Sequence, residues 1–121
     1  MPLVSIVIPT FNRKSEFINR SIQSVLKQTY QNFEIIIVDD NQNTDIANDI
    51  NHLVSEYNDS RIIYIKNKEN IGGAKSRNKG IRLSKGDYIT FLDDDDFYFK
   101  DKLEEQVKFL KNSDFDFAIS N

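Results

Sequence analysis

The stretch that decides the fold is Gly86-Asp87-Tyr88-Ile89-Thr90-Phe91-Leu92-Asp93-Asp94-Asp95-Asp96-Phe97, a short apolar strand that runs directly into four consecutive aspartates. A fold gains no stability from such a run, because like charges held close together repel one another. Side chains alternate along an extended chain, so Asp93 and Asp95 are expected on one side and Asp94 and Asp96 on the other. We expect Asp95 and Asp93 to hold Mg²⁺ or Mn²⁺, which prefer oxygen ligands. The alternative is a solvated acidic loop or helix start.

A second predicted strand also ends in carboxylates. Residues 33–38 are almost continuously apolar, which is typical of a strand covered on both faces, and Asp39-Asp40 follow at once. Residues 4–9 form a β-branched run that we expect to end at Pro9. Further predicted strands cover residues 61–66 and 115–119.

Between these strands, apolar residues recur at the spacing of amphipathic helices. The predicted helices cover residues 16–28, a segment that ends near residue 57 and has Asn43 or Thr44 as its N-cap, a segment from the Gly72-Gly73 loop to about Ser84, and a segment with the apolar stripe of Leu103, Val107 and Leu110. Strands that alternate with such helices imply right-handed parallel crossovers. The predicted fold class is therefore α/β, a doubly wound, mainly parallel sheet flanked by helices, as a single domain over residues 1–121. Ligands bind outside the carboxyl ends of such strands, where both acidic pairs should gather.

Composition narrows the function classes. At 121 residues and 39% hydrophobic content, the chain has enough apolar side chains for one core. The net charge of −3, with both signs interspersed, argues against a nucleic-acid partner. The chain has no cysteine and no apolar run long enough to span a bilayer. Because the first predicted strand begins close to Met1, we expect no signal peptide. We therefore expect a cytoplasmic protein, either free or held at the inner face of the membrane by other parts.

Three familiar nucleotide or signalling folds are disfavoured by the motifs. No Gly-x-Gly-x-x-Gly follows the first strand, so a dinucleotide site is not expected. Gly73-Ala74-Lys75-Ser76 has alanine where a P-loop has glycine. A receiver domain carries its acidic pair after the first strand, whereas this chain has Pro9-Thr10 there.

The residues themselves point toward a nucleotide. Asp39-Asp40 either starts a turn or accepts a hydrogen bond from the N–H of a bound base. Arg77 lies close to a predicted helix start that faces the acidic run, which favours a role near phosphates over a solvated helix face. His52 is expected at the surface, so no catalytic triad can be assembled.

These motifs together resemble the N-terminal half of a glycosyltransferase family 2 enzyme, which has the GT-A fold. The resemblance covers essentially all 121 residues. Each motif is weak alone, but their order is highly specific. The matching blocks are residues 4–12, residues 24–30, Glu34-Ile35-Ile36-Ile37-Val38-Asp39-Asp40, Asn70-x-Gly72-x-x-x-x-Arg77-Asn78-x-Gly80 and Gly86-Asp87-Tyr88-Ile89-x-Phe91-Leu92-Asp93-x-Asp95-Asp96.

The resemblance implies a role for each matched residue. Thr10 and Asp40, with Asp39 beside them, would hold the nucleobase, and Arg77 would lie along the base or the diphosphate. Residues 93–95 would be the family's DXD motif, with Asp94 near the ribose and Asp95 as the direct metal ligand. Pro9 and Gly72 complete the expected nucleotide-binding set. The chain departs from the family at Asn41-Gln42, where Gly-Ser is common.

The activity implied by the resemblance is transfer of a sugar, with inversion, from a nucleotide-sugar donor to an acceptor hydroxyl in cell-wall or polysaccharide biosynthesis. A UDP-sugar is the expected donor, and the acceptor is a sugar, lipid or protein. The catalytic base is expected beyond Asn121, and an unpaired sheet edge favours a homodimer. The alternatives are a non-catalytic module that binds a nucleotide or nucleotide sugar, and a nucleotidyltransferase.

Overall fold

The computed structural model describes residues 1–111, and the predicted strand at residues 115–119 lies outside them. Each predicted strand and helix within the described part is present. In chain order the elements are β1 (Val4–Thr10), α1 (Ser15–Leu26), β2 (Phe33–Asp39), α2 (Thr44–Tyr57), β3 (Ile62–Lys66), α3 (Gly73–Leu83), β4 (Tyr88–Phe91) and α4 (Lys102–Lys111).

The four strands form one parallel sheet in the order β3-β2-β1-β4, which confirms the predicted α/β architecture. The chain moves outward from β1 through β2 to β3, and then crosses back to place β4 on the other side of β1. The strand order therefore reverses between β1 and β4. In doubly wound sheets the crevice at this reversal point, outside the carboxyl ends of the strands, is where ligands bind.

Helices cover both faces of the sheet. On one face, Ile6 and Ile8 of β1 pack in a fully buried cluster with Ile18 of α1 and Leu103 of α4. On the other face, α3 packs directly on β1, because Gly80 allows the two backbones to approach. A Cβ added at Gly80 would lie 2.3 Å from Cγ1 of Val7. The sheet is thus fixed between two apolar layers, and its carboxyl edge is left for polar side chains.

The predicted end of β1 at Pro9 is wrong, because the strand continues to Thr10. Thr10 O accepts a hydrogen bond from Asp40 N on the β2 side, whereas Val7 O accepts from Leu92 N on the β4 side. The backbone N–H and C=O groups of successive strand residues point alternately toward the two neighbouring strands, so those of Pro9 point toward β4. The pairing of β4 with β1 already ends at the Val7–Phe91 pair. The N–H that proline lacks therefore costs no ladder hydrogen bond.

Two helix boundaries follow from side-chain hydrogen bonds. Asn43 is the N-cap of α2, as one of the two predicted candidates, and its side chain accepts from Asp45 N and Ile46 N. Helix α1 ends at Leu26, two residues before the predicted end at Gln28. The buried side chain of Gln28 instead bonds Phe99 O and Leu103 N, so it ties the end of α1 to the segment before α4. Across residues 1–111, each helix is too short or too polar to span a bilayer.

Candidate functional site

The acidic run is a turn and not an extended strand, so the predicted alternation of its side chains is wrong. Strand β4 ends at Phe91, and Asp96 N donates to Asp93 O at 3.0 Å. Beyond Leu92 the chain has no strand partner in β1, and extended backbone without a partner leaves its polar groups unpaired. As a result, Asp93, Asp94 and Asp95 all line the same cavity.

This cavity of about 340 Å³ lies at the reversal point between β1 and β4. Its walls come from the end of β1 and the loop after it, the start of α3, and the acidic turn. Most of the predicted site residues are brought together here. The lining residues are Pro9, Thr10, Phe11, Arg13, Asp40, Gly73, Ser76, Arg77, Asp93, Asp94 and Asp95.

Asp94 attaches the acidic turn to the end of β1. Its Oδ2 accepts hydrogen bonds from Thr10 Oγ1 at 2.9 Å and from Phe11 N at 3.2 Å. Its Oδ1 accepts from Arg13 Nε at 3.3 Å, and the residue is 8% exposed. The carboxylate is thus held by three donors from the end of β1 and the loop after it, and its predicted contact with a ribose stays a prediction.

Asp93 and Asp95 are the accessible carboxylates of the turn, with about half of each side chain exposed. Each faces one arginine: Arg77 Nη2 lies 3.8 Å from Asp93 Oδ1, and Arg13 Nη2 lies 3.4 Å from Asp95 Oδ2. Ion pairs at this exposure contribute little to stability. Both carboxylates are therefore free to exchange their arginine for another cation.

The donor set fits Mg²⁺ or Mn²⁺ whose remaining ligands are substrate phosphate oxygens and water. Within residues 1–111, no group of three or more His, Cys, Asp or Glu side chains is placed to hold a metal on its own. Mg²⁺, however, is commonly held by one or two carboxylates, with phosphate oxygens and waters as its remaining ligands. Asp93 and Asp95 supply that number of hard oxygen ligands beside a cavity.

Asp40 fixes the loop that precedes α3. Its Oδ1 accepts from Asn67 Nδ2 and Ile71 N, and its Oδ2 accepts from Gly72 N, each at 2.9 Å. Burial raises the pKa of Asp40, but these hydrogen bonds and the charge of Lys79 outweigh burial, and the net pKa lies below the ordinary value. The residue therefore stays anionic while one edge of it faces the cavity.

Asp39 and Gly72 are the predicted site residues that do not line the cavity. Asp39 is fully buried and accepts hydrogen bonds from Asn41 N, Asn41 Nδ2 and the Tyr64 hydroxyl. Burial, the hydrogen bond to Asp39 and its charge raise the pKa of Tyr64. Gly72 is the N-cap of α3 and has a φ of 88°, a left-handed value that favours glycine. Both residues shape the neighbourhood of Asp40 without reaching the cavity.

Asn41, where the chain departs from the family pattern, connects Asp39 with the β1–α1 loop. Its side chain donates to Asp39 Oδ1 at 2.8 Å and accepts from Asn12 N at 2.7 Å.

His52, predicted at the surface, is indeed exposed on α2, and its Nε2 lies 3.0 Å from Glu56 Oε1.

Four lining residues were not predicted. Gly73 and Ser76 belong to the first turns of α3. Phe11 and Arg13 follow the central strand β1 at the same edge of the sheet as the aspartates, so the carboxyl-edge rule alone could have identified them. Of these four residues, Arg13 has the largest effect on the charge of the cavity, because it brings a positive charge to the carboxylates of Asp94 and Asp95.

Comparison with known proteins finds a matching family and similar sequences. The family model described as "Glycosyl transferase family 2" matches residues 5–121. An uncharacterized glycosyltransferase of Methanocaldococcus jannaschii is 42% identical over 122 residues, which cover 98% of this chain and 41% of that protein. The UDP-Glc:alpha-D-GlcNAc-diphosphoundecaprenol beta-1,3-glucosyltransferase WfaP of Escherichia coli is 42% identical over 121 residues, which cover 100% of this chain and 46% of that protein. The chain thus spans less than half the length of either relative.

Solved structures share the fold. The chain superposes on residues 1–349 of Staphylococcus aureus TarS with a TM-score of 0.76 and 25% identity, covering 90% of this chain and 32% of that one. The mannosyltransferase PcManGT of Pyrobaculum calidifontis, solved with GDP-Man and Mn²⁺, gives a TM-score of 0.80 at 22% identity, covering 90% of this chain and 32% of that one. Both superpositions confirm the predicted GT-A fold.

Proposed function

The chain belongs to glycosyltransferase family 2, and we propose that it binds a UDP-sugar in the cavity between β1, α3 and the acidic turn, for transfer of the sugar to an acceptor hydroxyl. One observation carries the proposal. Two accessible carboxylates and two arginines face each other across a single cavity at the reversal point of a parallel sheet. A nucleoside diphosphate with its divalent cation matches this mixture of charges.

At the diphosphate end, Arg77 lies in the first turns of α3, where main-chain N–H groups and the helix dipole also favour an anion. Asp93 and Asp95 would hold Mn²⁺ or Mg²⁺. When bound, such an ion neutralises the negative charge that accumulates on the leaving nucleoside diphosphate. Arg77 would share that task, because a guanidinium presents several N–H donors to phosphate oxygens.

At the base end, Asp40 retains capacity for one more hydrogen bond. Its Oδ1 already accepts from two donors, whereas its Oδ2 accepts from Gly72 N. A carboxylate oxygen has room for about two hydrogen bonds, so Oδ2 would accept the ring N–H of a uracil. Pro9 and Thr10 form the adjacent wall of the cavity. The preference for uridine is supported by TarS, which was solved in complex with UDP-GlcNAc and is 25% identical.

The acceptor is proposed from the relatives. The Escherichia coli protein is named for a GlcNAc-diphosphoundecaprenol acceptor, and a Bacillus subtilis relative with 41% identity is named for teichuronic acid biosynthesis. We infer a role in assembly of a surface polysaccharide, with a sugar hydroxyl as the acceptor. Inversion in one displacement, a cytoplasmic location and a homodimer stay predictions, and we assign no general base among residues 1–111.

Calorimetry on the chain tests the binding half of this proposal. UDP, GDP, CDP and ADP would be titrated with saturating Mn²⁺ and again in EDTA. We expect UDP to bind most tightly and to lose at least about tenfold in affinity without the ion, which corresponds to about 1.4 kcal/mol. Equal UDP affinity in EDTA would contradict the metal assignment, and absence of nucleotide binding would contradict the function. Turnover of radiolabelled UDP-sugars separates an enzyme from a binding module.

A further inference from the structure

Arg13 is the one charged residue of the cavity lining that bridges two carboxylates. Its Nε lies 3.3 Å from Asp94 Oδ1, and its Nη2 lies 3.4 Å from Asp95 Oδ2. The two contacts differ in kind. Asp94 is buried and also held by Thr10 and Phe11, whereas about half of the Asp95 side chain is exposed. Arg13 is therefore anchored through its Nε, and its outer nitrogen rests on an accessible carboxylate.

The main chain fixes Arg13 in this position. Asn12 has a left-handed φ of 50°, which turns the chain sharply after β1. The N–H of Phe11 donates to Asp94 Oδ2, and the N–H of Asn12 donates to Asn41 Oδ1. The two residues before Arg13 are thus tied to the acidic turn on one side and to the end of β2 on the other. These hydrogen bonds place the backbone of Arg13 beside the cavity, and the contacts with Asp94 and Asp95 hold its guanidinium there.

A divalent cation at Asp95 would compete with this guanidinium. Opposite charges a few ångströms apart attract, and two cations at the same distance repel. An ion held by Asp95 would therefore displace Arg13 Nη2 from that carboxylate. Arg13 would keep its Nε contact with Asp94, so its outer nitrogens would stay in the cavity. A diphosphate is the group that can receive them, since guanidinium N–H groups match phosphate oxygens in geometry and charge.

We propose that Arg13 exchanges partners during loading of the site: it neutralises Asp95 before a divalent cation binds, and contacts the diphosphate of the donor afterwards. The second half of this exchange rests on the proposed function, and the first half does not. The proposed exchange predicts a distinctive result for variants of Arg13. Loss of the guanidinium should strengthen binding of the ion alone and weaken binding of the nucleoside diphosphate, two effects of opposite sign from one substitution.

The first arm of the test uses Mn²⁺ alone, measured by the electron paramagnetic resonance signal of the free ion. We expect Arg13→Gln to bind Mn²⁺ about threefold to tenfold more tightly than the parent chain. Arg13→Lys, which keeps the charge, should stay closer to the parent. Lys14→Gln is the matched control, because it removes the same charge from the next residue, which is exposed and does not line the cavity.

The second arm uses UDP with saturating Mn²⁺, measured by calorimetry. We expect Arg13→Gln to weaken UDP about tenfold and Lys14→Gln to change it less than about twofold. Equal or weaker Mn²⁺ binding in Arg13→Gln overturns the exchange, as does undetectable Mn²⁺ binding by every chain. Unchanged UDP affinity overturns the diphosphate contact. If the parent binds Mn²⁺ but no nucleoside diphosphate, the proposed function fails while the first arm still decides the exchange at Asp95.

Discussion

The hydroxyl of Thr10 donates a hydrogen bond to Asp94 Oδ2 at 2.9 Å, which joins the end of β1 to the turn that follows β4. Both residues are almost completely buried. Because β4 ends at Phe91, the position of the acidic turn depends on this contact and on the neighbouring N–H of Phe11 more than on the strand that leads into it. The central strand thereby places the carboxylates at the cavity.

Replacement of Thr10 by valine tests this dependence. The change keeps the shape and removes the donor to a buried carboxylate, so we expect a loss of about 1–3 kcal/mol in the free energy of unfolding, measured by urea titration. Thr29→Val is the matched control, since Thr29 donates to Glu104 at the surface, and it should cost less than about 1 kcal/mol. Equal losses in the two variants would contradict a special role for the Thr10–Asp94 bond.

Replacement of Asp95 by asparagine tests the metal site. The amide keeps the size of the side chain but removes the charge that attracts a divalent cation. We expect UDP affinity in Mn²⁺ to fall at least about tenfold, to the value measured in EDTA, so that the metal dependence disappears. Asp101→Asn, at an exposed aspartate before α4, serves as the control and should retain the dependence. Full metal dependence in Asp95→Asn would place the ion elsewhere.

The strands and helices were predictable because their apolar spacing is a local property. β2 is buried along its whole length, as its continuous apolar run predicts, and α1 buries Ile18, Ile22 and Val25 at the expected spacing. The end of β1 was not predictable in this way. Whether Pro9 ends a strand depends on where β4 stops, and that length is a property of a distant segment.

The location of the site could be predicted from the sequence, but the arrangement of its side chains could not. The carboxyl-edge rule brings Asp40 and the acidic run to one cavity. The turn at residues 93–96, however, begins where the pairing of β4 with β1 ends, and that end depends on both segments. The pairing of Arg13 with Asp94 joins residues 81 positions apart, so no local pattern reports it.

Replacement of Tyr64 by phenylalanine separates the roles of the two neighbouring aspartates. It removes a donor from buried Asp39, so the free energy of unfolding should fall by about 1–3 kcal/mol. UDP affinity should change less than about twofold, because Asp39 does not line the cavity. Tyr57→Phe, which removes a hydroxyl bonded to Asn19, is the control for loss of a tyrosine hydrogen bond. A tenfold loss of UDP affinity in Tyr64→Phe would show that Asp39 contacts the base.

Replacement of Gly80 by alanine tests the contact between α3 and β1. The new Cβ would lie 2.3 Å from Val7 Cγ1 in a packed core, so we expect a loss of about 1–3 kcal/mol in the free energy of unfolding. Gly73→Ala on the same helix is the matched control. Its nearest contact is the movable Arg77 Nη1 at 3.3 Å, so the higher helix propensity of alanine should keep that variant at least as stable as the parent. A neutral Gly80→Ala would contradict the close approach.

Replacement of Asp40 by asparagine should show a pH-dependent cost. Three N–H donors face the carboxylate, and an amide offers one acceptor oxygen and an NH₂ group that opposes a donor, so we expect a loss of about 1–3 kcal/mol at pH 7. The folded pKa of Asp40 lies below its ordinary value of 3.8, so the charge stabilises the fold above about pH 4, and this contribution is lost as the pH falls through the folded pKa. Urea titrations from pH 7 to pH 3 should show the difference between parent and variant shrinking below about pH 4. The cost of Gly80→Ala, which removes no titratable group, should stay constant over that range, and an equally constant cost for Asp40→Asn would show that the loop is held without the charge.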